Sequence, residues 1–223
     1  TRKASGAGKD LAKEFGSTLA AAGCLVVSGL AFGIDAAAHR GAIEARGLTV
    51  AVLANGLDRT YPASHERLAD NIIEGGGALI SEYPPGTPAF QSNFRERNRM
   101  ISGLAQAVVA IEVPERSGVL ATARFATEQN RDLFVIPGPV ENPNYRGSHR
   151  LIRAGATLVA SPREILEDLG FVPPEDIRTF TPETPEEKII SEAMRAAGRP
   201  LAIDEIIEVA TLTSSMVNQT LTM

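Results

Sequence analysis

Apolar residues in the first three quarters of the chain follow two alternating patterns. Short runs that are almost wholly apolar, such as residues 49–54 and 107–112, are typical of buried strands. Between such runs, apolar residues recur every three or four positions, as Leu11 and Phe15 do within residues 6–22, which is helical spacing. Strands that alternate with amphipathic helices predict an α/β fold, with a parallel sheet covered by helices on both faces.

The same patterns place each predicted element along the chain. The predicted strands are residues 24–28, 49–54, 78–81, 107–112, 132–136 and 157–160. The predicted helices are residues 6–22, 34–46 and 65–74, one from Phe94 onwards, one from Ser117-Gly118 to about Asn130, one capped by Ser148, and 162–169. A doubly wound fold has a strand before its first helix, and none is present here, so we infer that the first strand has been lost.

Composition divides the chain into two domains and a linker. Residues 1–171 form one α/β domain, and the proline-rich residues 172–185 are typical of a linker. Residues 186–223 are predicted to form three short helices, at Glu186–Ala196, Ala202–Val209 and Ser214–Met223, with Ser214 as the cap of the third.

Composition also narrows the class of protein. With 43% hydrophobic and 22% charged residues, the 223-residue chain has enough apolar residues for a full core. No apolar run reaches transmembrane length and no signal peptide precedes Thr1, so we expect a soluble, cytoplasmic protein that does not bind membranes. The single cysteine, Cys24, lies in a predicted strand, which argues against disulfide or redox chemistry.

The net charge of −5 is unevenly distributed. Residues 1–171 carry equal numbers of basic and acidic side chains, whereas residues 172–223 carry the whole excess of five acidic ones. Arginines cluster within the neutral part, in one group at 95, 97 and 99 and in another at 146, 150 and 153. A local basic surface is therefore compatible with the overall acidic balance.

Three predicted turns place small residues at the entrance of a helix: Ser28-Gly29, Ser117-Gly118 and Gly147-Ser148. The first of them continues to Gly33, and its two glycines allow close approach of a ligand to the backbone. Turns that follow parallel strands meet at the carboxyl edge of the sheet, so the three predict a groove with several anion sites. A dinucleotide site remains an alternative, although its glycine fingerprint is absent from this sequence.

Candidates for catalysis are few. The chain has three histidines, no recognisable nucleophile elbow and no spaced set of metal ligands, so we expect no metal, cofactor or catalytic residue. Asp35 and His39 lie four residues apart on one helical face and are compatible with an acid–base pair. We favour the alternative, in which Asp35 stabilises the helix start and His39 packs or bonds locally.

Several motifs together resemble those of the DNA-processing protein A family (DprA/Smf). The matching segments are Ser28 to His39, Ala51 to Pro62, Ile80 to Gly86, Arg97-Asn98-Arg99, Ser117-Gly118 and Pro137-Gly138. Thr1-Arg2 is similar to the end of that family's Gly-Ser/Thr-Arg turn. The resemblance covers residues 1–170 and implies an extended Rossmann-like fold that binds single-stranded DNA and loads the RecA recombinase onto it in natural transformation and DNA recombination.

The resemblance and the turns together give a set of expected DNA-binding residues. They are Arg2, Ser28, Gly29, Gly33, Phe94, Arg97, Asn98, Arg99, Ser117, Gly118, Arg146 and Gly147. Guanidinium groups suit phosphates and Phe94 suits a base. The family also implies a homodimer formed through the last strand, with His149, Ile152 and Leu158 at the matching positions. This chain departs from the family pattern at Val119, where a serine is common, and at His149, where asparagine is common.

Two further expectations come from related families. An enzyme alternative is a phosphoribohydrolase of the lysine-decarboxylase-like Rossmann superfamily, in which Phe125 would replace the catalytic acid and Glu128 would lie one turn away. Residues 186–223 resemble part of the winged-helix domain found in many DprA proteins. Their acidic balance argues against duplex binding, so contact with a protein is at least as good a hypothesis.

Overall fold

The computed structural model describes residues 4–171, 182, 184–197 and 201–222. The chain divides into two compact units, Thr1–Pro174 and Glu175–Met223. Each unit is described by itself. No helix within the described residues combines the length and apolar character needed to cross a membrane.

The first unit alternates helices and parallel strands. Its strands are β1 Val26–Ser28, β2 Thr49–Val52, β3 Ala78–Ile80, β4 Ala107–Ala110, β5 Asp132–Val135 and β6 Thr157–Leu158. Its helices are α1 Gly6–Ala21, α2 Ile34–Glu44, α3 Glu66–Glu74, α4 Gln91–Leu104, α5 Val119–Glu128, α6 Arg146–Arg153 and α7 Pro162–Asp168. Two 3-10 turns, Ala63–His65 and Pro143–Tyr145, precede α3 and α6. The predicted α/β fold is confirmed.

The strands pair as two three-stranded parallel sheets, where the sequence predicts one. The first sheet has the order β1-β2-β3 and the second has the order β4-β5-β6. The facing strands β1 and β4 line a cavity of about 1230 Å³. In a doubly wound topology, the strand expected before α1 would lie in this space. Among the described residues, no strand pairs with both β1 and β4, so the two sheets are separate.

Two apolar clusters hold the helices against these sheets. One cluster joins Phe15 of α1 to Phe134 of β5 and Ile165 of α7. The other joins Leu53, which follows β2, to Ile72 of α3. Helices α1 and α2 cross closely, because at Gly41 a Cβ atom would lie only 2.0 Å from the Lys13 carbonyl oxygen. This close packing fixes the start of α2, and with it the turn that precedes α2.

The Ser148 cap predicted from the sequence is wrong. Helix α6 already begins at Arg146, and Ser148 is buried inside it. Tyr145 is at the N-cap of α6 and makes no side-chain capping bond, whereas Asn142 caps the preceding 3-10 turn by accepting from the Asn144 N–H at 3.0 Å. The 3-10 turn Pro143–Tyr145 leads directly into α6, so the helical segment begins earlier than the sequence pattern indicates. The predicted cap at Ser148 is therefore too late in the chain.

The second unit contains three helices within its described residues: α8 Pro185–Ala197, α9 Ile203–Ala210 and α10 Ser214–Thr222. They pack through Ile190, Ile206 and Val217. Thr213, one residue before the predicted Ser214, accepts from the Met216 N–H and caps α10. Most of the predicted linker lies outside the described residues.

Candidate nucleic-acid interface

The turn between β1 and α2, residues 28–33, has an unusual backbone. Leu30 and Gly33 both have positive φ values, 57° and 84° respectively. Leu30 is fully buried, so its left-handed backbone conformation is constrained by the residues packed around it. A left-handed leucine is retained only where surrounding groups hold it, and three side chains do so here.

Asp35, in the first turn of α2, is the first of these side chains. Its carboxylate accepts from the Gly29 N–H at 3.1 Å and from the Ala31 N–H at 3.3 Å. Burial by itself would raise the pKa of Asp35. Nearby positive charge, including the Arg97 guanidinium, and the Ala31 N–H outweigh this effect and hold the pKa below its ordinary value, so the carboxylate is ionised. Because Asp35 already occupies two amides, the turn offers fewer donors to a phosphate than its sequence predicts.

Arg97 of α4 is the second. It is only 3% exposed, and its Nη1 donates to the Gly29 carbonyl oxygen at 2.8 Å and also to the Val52 carbonyl oxygen. The guanidinium therefore joins the carboxyl ends of β1 and β2 to α4. This placement does not support the direct phosphate contact expected of Arg97, because its Nη1 bonds to two carbonyl oxygens and its Nε donates to the Asn98 side-chain oxygen at 3.3 Å.

His65 is the third, and the sequence analysis assigned it no role. Its buried ring bonds through Nδ1 to the Leu30 carbonyl oxygen at 2.9 Å. His65 and Leu30, which form this bond, are 35 positions apart in the chain. A histidine at the start of a helix also has no distinctive sequence pattern. Only the fold shows that it supports the turn.

His39 is structural, as the favoured interpretation predicts. Its Nδ1 lies 2.7 Å from the Thr49 hydroxyl, which itself donates to the Val26 carbonyl oxygen. Since the Thr49 hydrogen is used, the hydroxyl oxygen accepts from the His39 Nδ1–H. Burial lowers the pKa of His39 to about 4, so the ring is neutral at pH 7. Asp35 bonds to backbone instead, and the pair is not an acid–base couple.

The second turn, at Ser117-Gly118, is open. Gly118 is exposed, and the Ser117 hydroxyl accepts from the Val119 N–H at 3.3 Å. Asn98 of α4 donates to the Gly118 carbonyl oxygen at 3.4 Å, which links this turn to the helix that carries Arg97. The structure thus places Ser28, Phe94, Asn98 and this turn in the lining of the cavity between β1 and β4.

The third turn is closed. Gly147 is buried within α6, and its N–H donates to the Val113 carbonyl oxygen at 2.7 Å. A Cβ atom there would lie 2.6 Å from the same oxygen, so the glycine allows helix α6 to pack against the chain after β4. The expected backbone contact of Gly147 with DNA is not supported by this geometry.

The remaining predicted arginines differ in their surroundings. Arg99 pairs with Glu82 at 2.5 Å, and Arg146 lies 4.0 Å from Glu115, both on the surface. Arg2 lies outside the described residues. Such exposed pairs are weak and exchange readily with a phosphate.

Two exposed arginines at the cavity, Arg95 and Arg116, were not among the predicted site residues. Both line the cavity that holds Ser28 and Gly118. No ion pair joins either to an acidic group within the described parts of the chain. Their charge is available to a ligand, which Arg97's is not. Arg95 belongs to a visible cluster, but Arg116 stands alone in the sequence.

Glu112 is a buried carboxylate that the sequence analysis also missed. It accepts from the Ser5 N–H at 3.0 Å, from the Ser5 hydroxyl at 2.5 Å and from Asn144 at 3.3 Å. These bonds tie the start of α1 and the 3-10 turn before α6 to the end of β4. Glu112 therefore assembles the carboxyl edge from three separate segments.

Neither side chain named for the enzyme alternative, Phe125 or Glu128, lines the cavity between β1 and β4. Phe125 packs beneath Arg124, and the exposed Glu128 carboxylate lies 3.3 Å from the Arg124 Nε on the same helix. Burial raises the pKa of the Cys24 thiol, which disfavours the reactive thiolate.

Together these features define a Rossmann-like α/β protein whose carboxyl edge groups two turns, exposed arginines and the Phe94 ring. Residues 1–170 match the family described as DNA recombination-mediator protein A. The chain belongs to this family. The recognition made from the motifs is confirmed.

Two curated relatives illustrate the match. Protein Smf of Escherichia coli is 49% identical over 164 residues, which are 74% of this chain and 44% of that protein. DNA processing protein DprA of Streptococcus pneumoniae is 43% identical over 147 residues, which are 66% of this chain and 52% of that protein. The chain thus spans about half the length of these relatives.

Solved structures agree with the fold. DNA processing protein A of S. pneumoniae has a TM-score of 0.70 and 39% identity, and the alignment covers 75% of this chain and 59% of that one. The Helicobacter pylori protein, whose structure is described as showing a single-stranded DNA binding mode, has a TM-score of 0.68 and 26% identity, with 76% of each chain covered. A molybdenum cofactor binding protein of Rippkaea orientalis, at 17% identity and a TM-score of 0.55, shares the fold alone.

Proposed function

We propose that this chain binds single-stranded DNA along the carboxyl edge formed by the turns at Ser28-Gly29 and Ser117-Gly118. The observation that carries the proposal is the grouping of exposed Arg95 and Arg116 with Phe94 and Asn98 around these two turns. Arginines supply phosphate contacts, and an aromatic ring supplies a surface for an unstacked base. Membership of the family, with a relative described as binding single-stranded DNA, supports the same function.

Neutralising the exposed arginines tests this proposal. Arg95→Ala and Arg116→Ala should each reduce the slope of log affinity against log salt for a labelled dT oligonucleotide by about 0.7 to 1. Arg163→Ala is the matched control, because Arg163 is an exposed arginine on α7 that pairs with Glu167 and does not line the cavity. If all three variants keep the slope of the unmodified chain, the strand does not follow this edge.

The family further implies that the bound strand is delivered to RecA, and we propose this activity for the chain, in the cytoplasm. The test is the rate at which RecA assembles on a single-stranded oligonucleotide with and without the chain. A faster start of assembly supports loading. An unchanged or slower rate, in the presence of confirmed DNA binding, would limit the function to binding.

We also propose a homodimer through β6, in keeping with the family. Strand β6 is at the edge of its sheet, and Leu158 on it is 49% exposed. Ile152 is half-buried against the cluster of Val113 and Val135, and His149 bonds to the Gly138 carbonyl oxygen at 3.0 Å. An edge with an exposed leucine favours pairing with a second copy. Two such subunits would offer two DNA sites to one strand.

For the second unit we propose a partial winged-helix domain that contacts protein in preference to duplex DNA. The packed core of Ile190, Ile206 and Val217 supports a folded helical unit. Its excess of acidic side chains disfavours a duplex.

A further inference from the structure

A small pocket lies beside the Ser28–Gly33 turn and shares Ala31 and Phe94 with the lining of the cavity between β1 and β4. Its volume is about 90 Å³, several times what one water molecule needs. It is lined by Gly29, Ala31, Phe32, Tyr61, Pro62 and Phe94. Three of these six side chains are aromatic rings, contributed by three different segments of the chain.

Phe32 is exposed but held in place. Its ring is 48% exposed, and it contacts the ring of buried His65 edge to face, with the centroids 4.8 Å apart. His65 is itself bonded to the Leu30 carbonyl oxygen, within the same turn. The turn and the histidine therefore fix the direction of Phe32, which presents a largely solvent-accessible ring beside the pocket.

The pocket lining contains a second pair of contacting rings. Tyr61 is 49% exposed, and its centroid lies 5.6 Å from that of Phe94 at an angle of 59°. Phe94 in turn lies 6.0 Å from the guanidinium carbon of Arg97, which is anchored to the backbone. Both pairs are thus attached to the buried side chains that hold the turn.

We propose that this pocket holds one nucleobase, with Phe32 and Tyr61 as base-contacting residues in addition to Phe94. The inference rests on the proposed function and specifies how the same site recognises its ligand. A group of exposed aromatic rings that are held in place is typical of a surface that binds an apolar partner. A planar base can stack on such rings. The adjacent Gly29 lets the Arg97 guanidinium pack against the turn, because a Cβ atom there would lie 2.5 Å from the Arg97 Nη2.

The occupant is a base of a nucleic acid strand or of a free nucleotide. Both have the planar ring that the pocket recognises, and the arginines at the neighbouring cavity suit the phosphates of either. An aromatic side chain of a partner protein would fit the rings but has no use for these charges. The base is therefore the occupant that the surroundings favour.

The test compares a dT oligonucleotide with one of equal length made of abasic spacers, for the full chain and its variants. We expect the unmodified chain to bind dT about five- to 100-fold more tightly than the abasic strand, in line with stacking on aromatic rings. Phe32→Ala should reduce this ratio at least about fivefold and leave abasic affinity within about twofold. Phe32→Trp, which keeps a ring, should retain the preference.

Phe90→Ala is the matched control, because Phe90 is 57% exposed and does not line the pocket. It should leave the ratio unchanged. A thermal melt of each variant identifies any loss of folding. Equal losses for both strands with Phe32→Ala, or no loss, would overturn the base contact although DNA binding persists.

Two other outcomes separate the inference from the proposed function. Failure of both strands to bind the unmodified chain at low salt would reject the proposed function itself. If free dTMP displaces the oligonucleotide at concentrations close to the dissociation constant of the strand, the pocket binds a base, but that base belongs to a free nucleotide. In that case Phe32→Ala should weaken dTMP by a similar factor, and if it does not, the pocket is not a base site.

Discussion

At the scale of single residues, the turn after β1 depends on groups that do not face the ligand. Asp35 accepts from its amides, while Arg97 and His65 bond to its carbonyl oxygens. All three act on the same few peptide units, two of which flank the left-handed Leu30. The turn is preorganised by these buried charges and hydrogen bonds, and in our proposal the exposed residues around it make the ligand contacts.

Arg97→Ala should lower the free energy of unfolding by about 3 kcal/mol, because it leaves the Gly29 and Val52 carbonyl oxygens without their buried donor. Urea unfolding measures this change. DNA affinity should also fall, but with the salt slope unchanged, since Arg97 makes no phosphate contact in our account. Arg99→Ala, on the exposed pair with Glu82, is the control and should cost under about 1 kcal/mol. A slope that falls by about one for Arg97→Ala would restore the direct contact.

The two glycines at the open turns should respond differently to alanine. At Gly29 a Cβ atom would lie 2.5 Å from the Arg97 Nη2, so Gly29→Ala should reduce both stability and DNA affinity. At Gly118 the nearest atom would be 4.0 Å away and the backbone is already helical, so stability should stay the same or rise by up to about 1 kcal/mol.

A thermal melt together with a DNA titration distinguishes the two cases. We expect Gly118→Ala to weaken DNA binding without unfolding, because in our proposal the strand approaches the exposed backbone there. If Gly118→Ala binds DNA as well as the unmodified chain, this turn is not a close contact.

Stability should depend on pH through His39. Its pKa is lowered from 6.5 to about 4 in the folded protein, so the unfolded state binds more protons between these values. The free energy of unfolding should therefore fall as the pH drops from 6.5 to 4, by about 2 to 4 kcal/mol. His39→Asn, whose side-chain amide nitrogen matches the position of Nδ1 that bonds to Thr49, should lose that part of the pH dependence in urea unfolding. An identical pH profile for this variant would contradict the neutral, buried ring.

At the scale of elements, the pattern of apolar residues was sufficient for the order of helices and strands. It predicted where α1, α2 and β2 occur to within one or two residues, because their apolar spacing is regular. It failed where an interaction between distant segments decides the outcome. Arg97 looks like a solvent-facing arginine among others, and only packing of α4 against β1 and β2 turns it inward.

Sequence reasoning about the site had the same limit. A serine or glycine at a helix entrance predicts free amides, yet Asp35 occupies two of them and Gly147 is buried. His65 and Glu112 act across 35 and 107 positions of sequence. Such contacts have no local spacing, so no motif could indicate them.

The edge strand β6 gives the prediction at this scale. Leu158→Glu should convert the proposed dimer into monomers, because a charge replaces the exposed apolar side chain at the sheet edge. Multi-angle light scattering measures the mass. Leu158 is a better site than Ile152, since Ile152 also packs against the core.

Val140→Glu is the control at this scale, because Val140 is an exposed apolar residue outside β6. It should leave the mass unchanged. An unmodified chain that is monomeric at tens of micromolar would end the dimer proposal.

At the scale of the whole molecule, the charge balance explains why binding should be local. The first 171 residues are neutral overall and the remainder is acidic, so no global field attracts DNA. Affinity must come from a few arginines and rings at one edge. The chain therefore should not bind a duplex well, because paired bases cannot reach the aromatic pocket and the contacts to phosphate are few.

The most direct measurement is a titration of the full chain with one labelled oligonucleotide, single-stranded or annealed to its complement, across a salt series. We predict that the single strand binds at least about tenfold more tightly than the duplex, and that its affinity falls with salt with a slope of about two or more, set by the several phosphate contacts. Equal affinity for the two forms, or no binding of the single strand at low salt, would contradict the account.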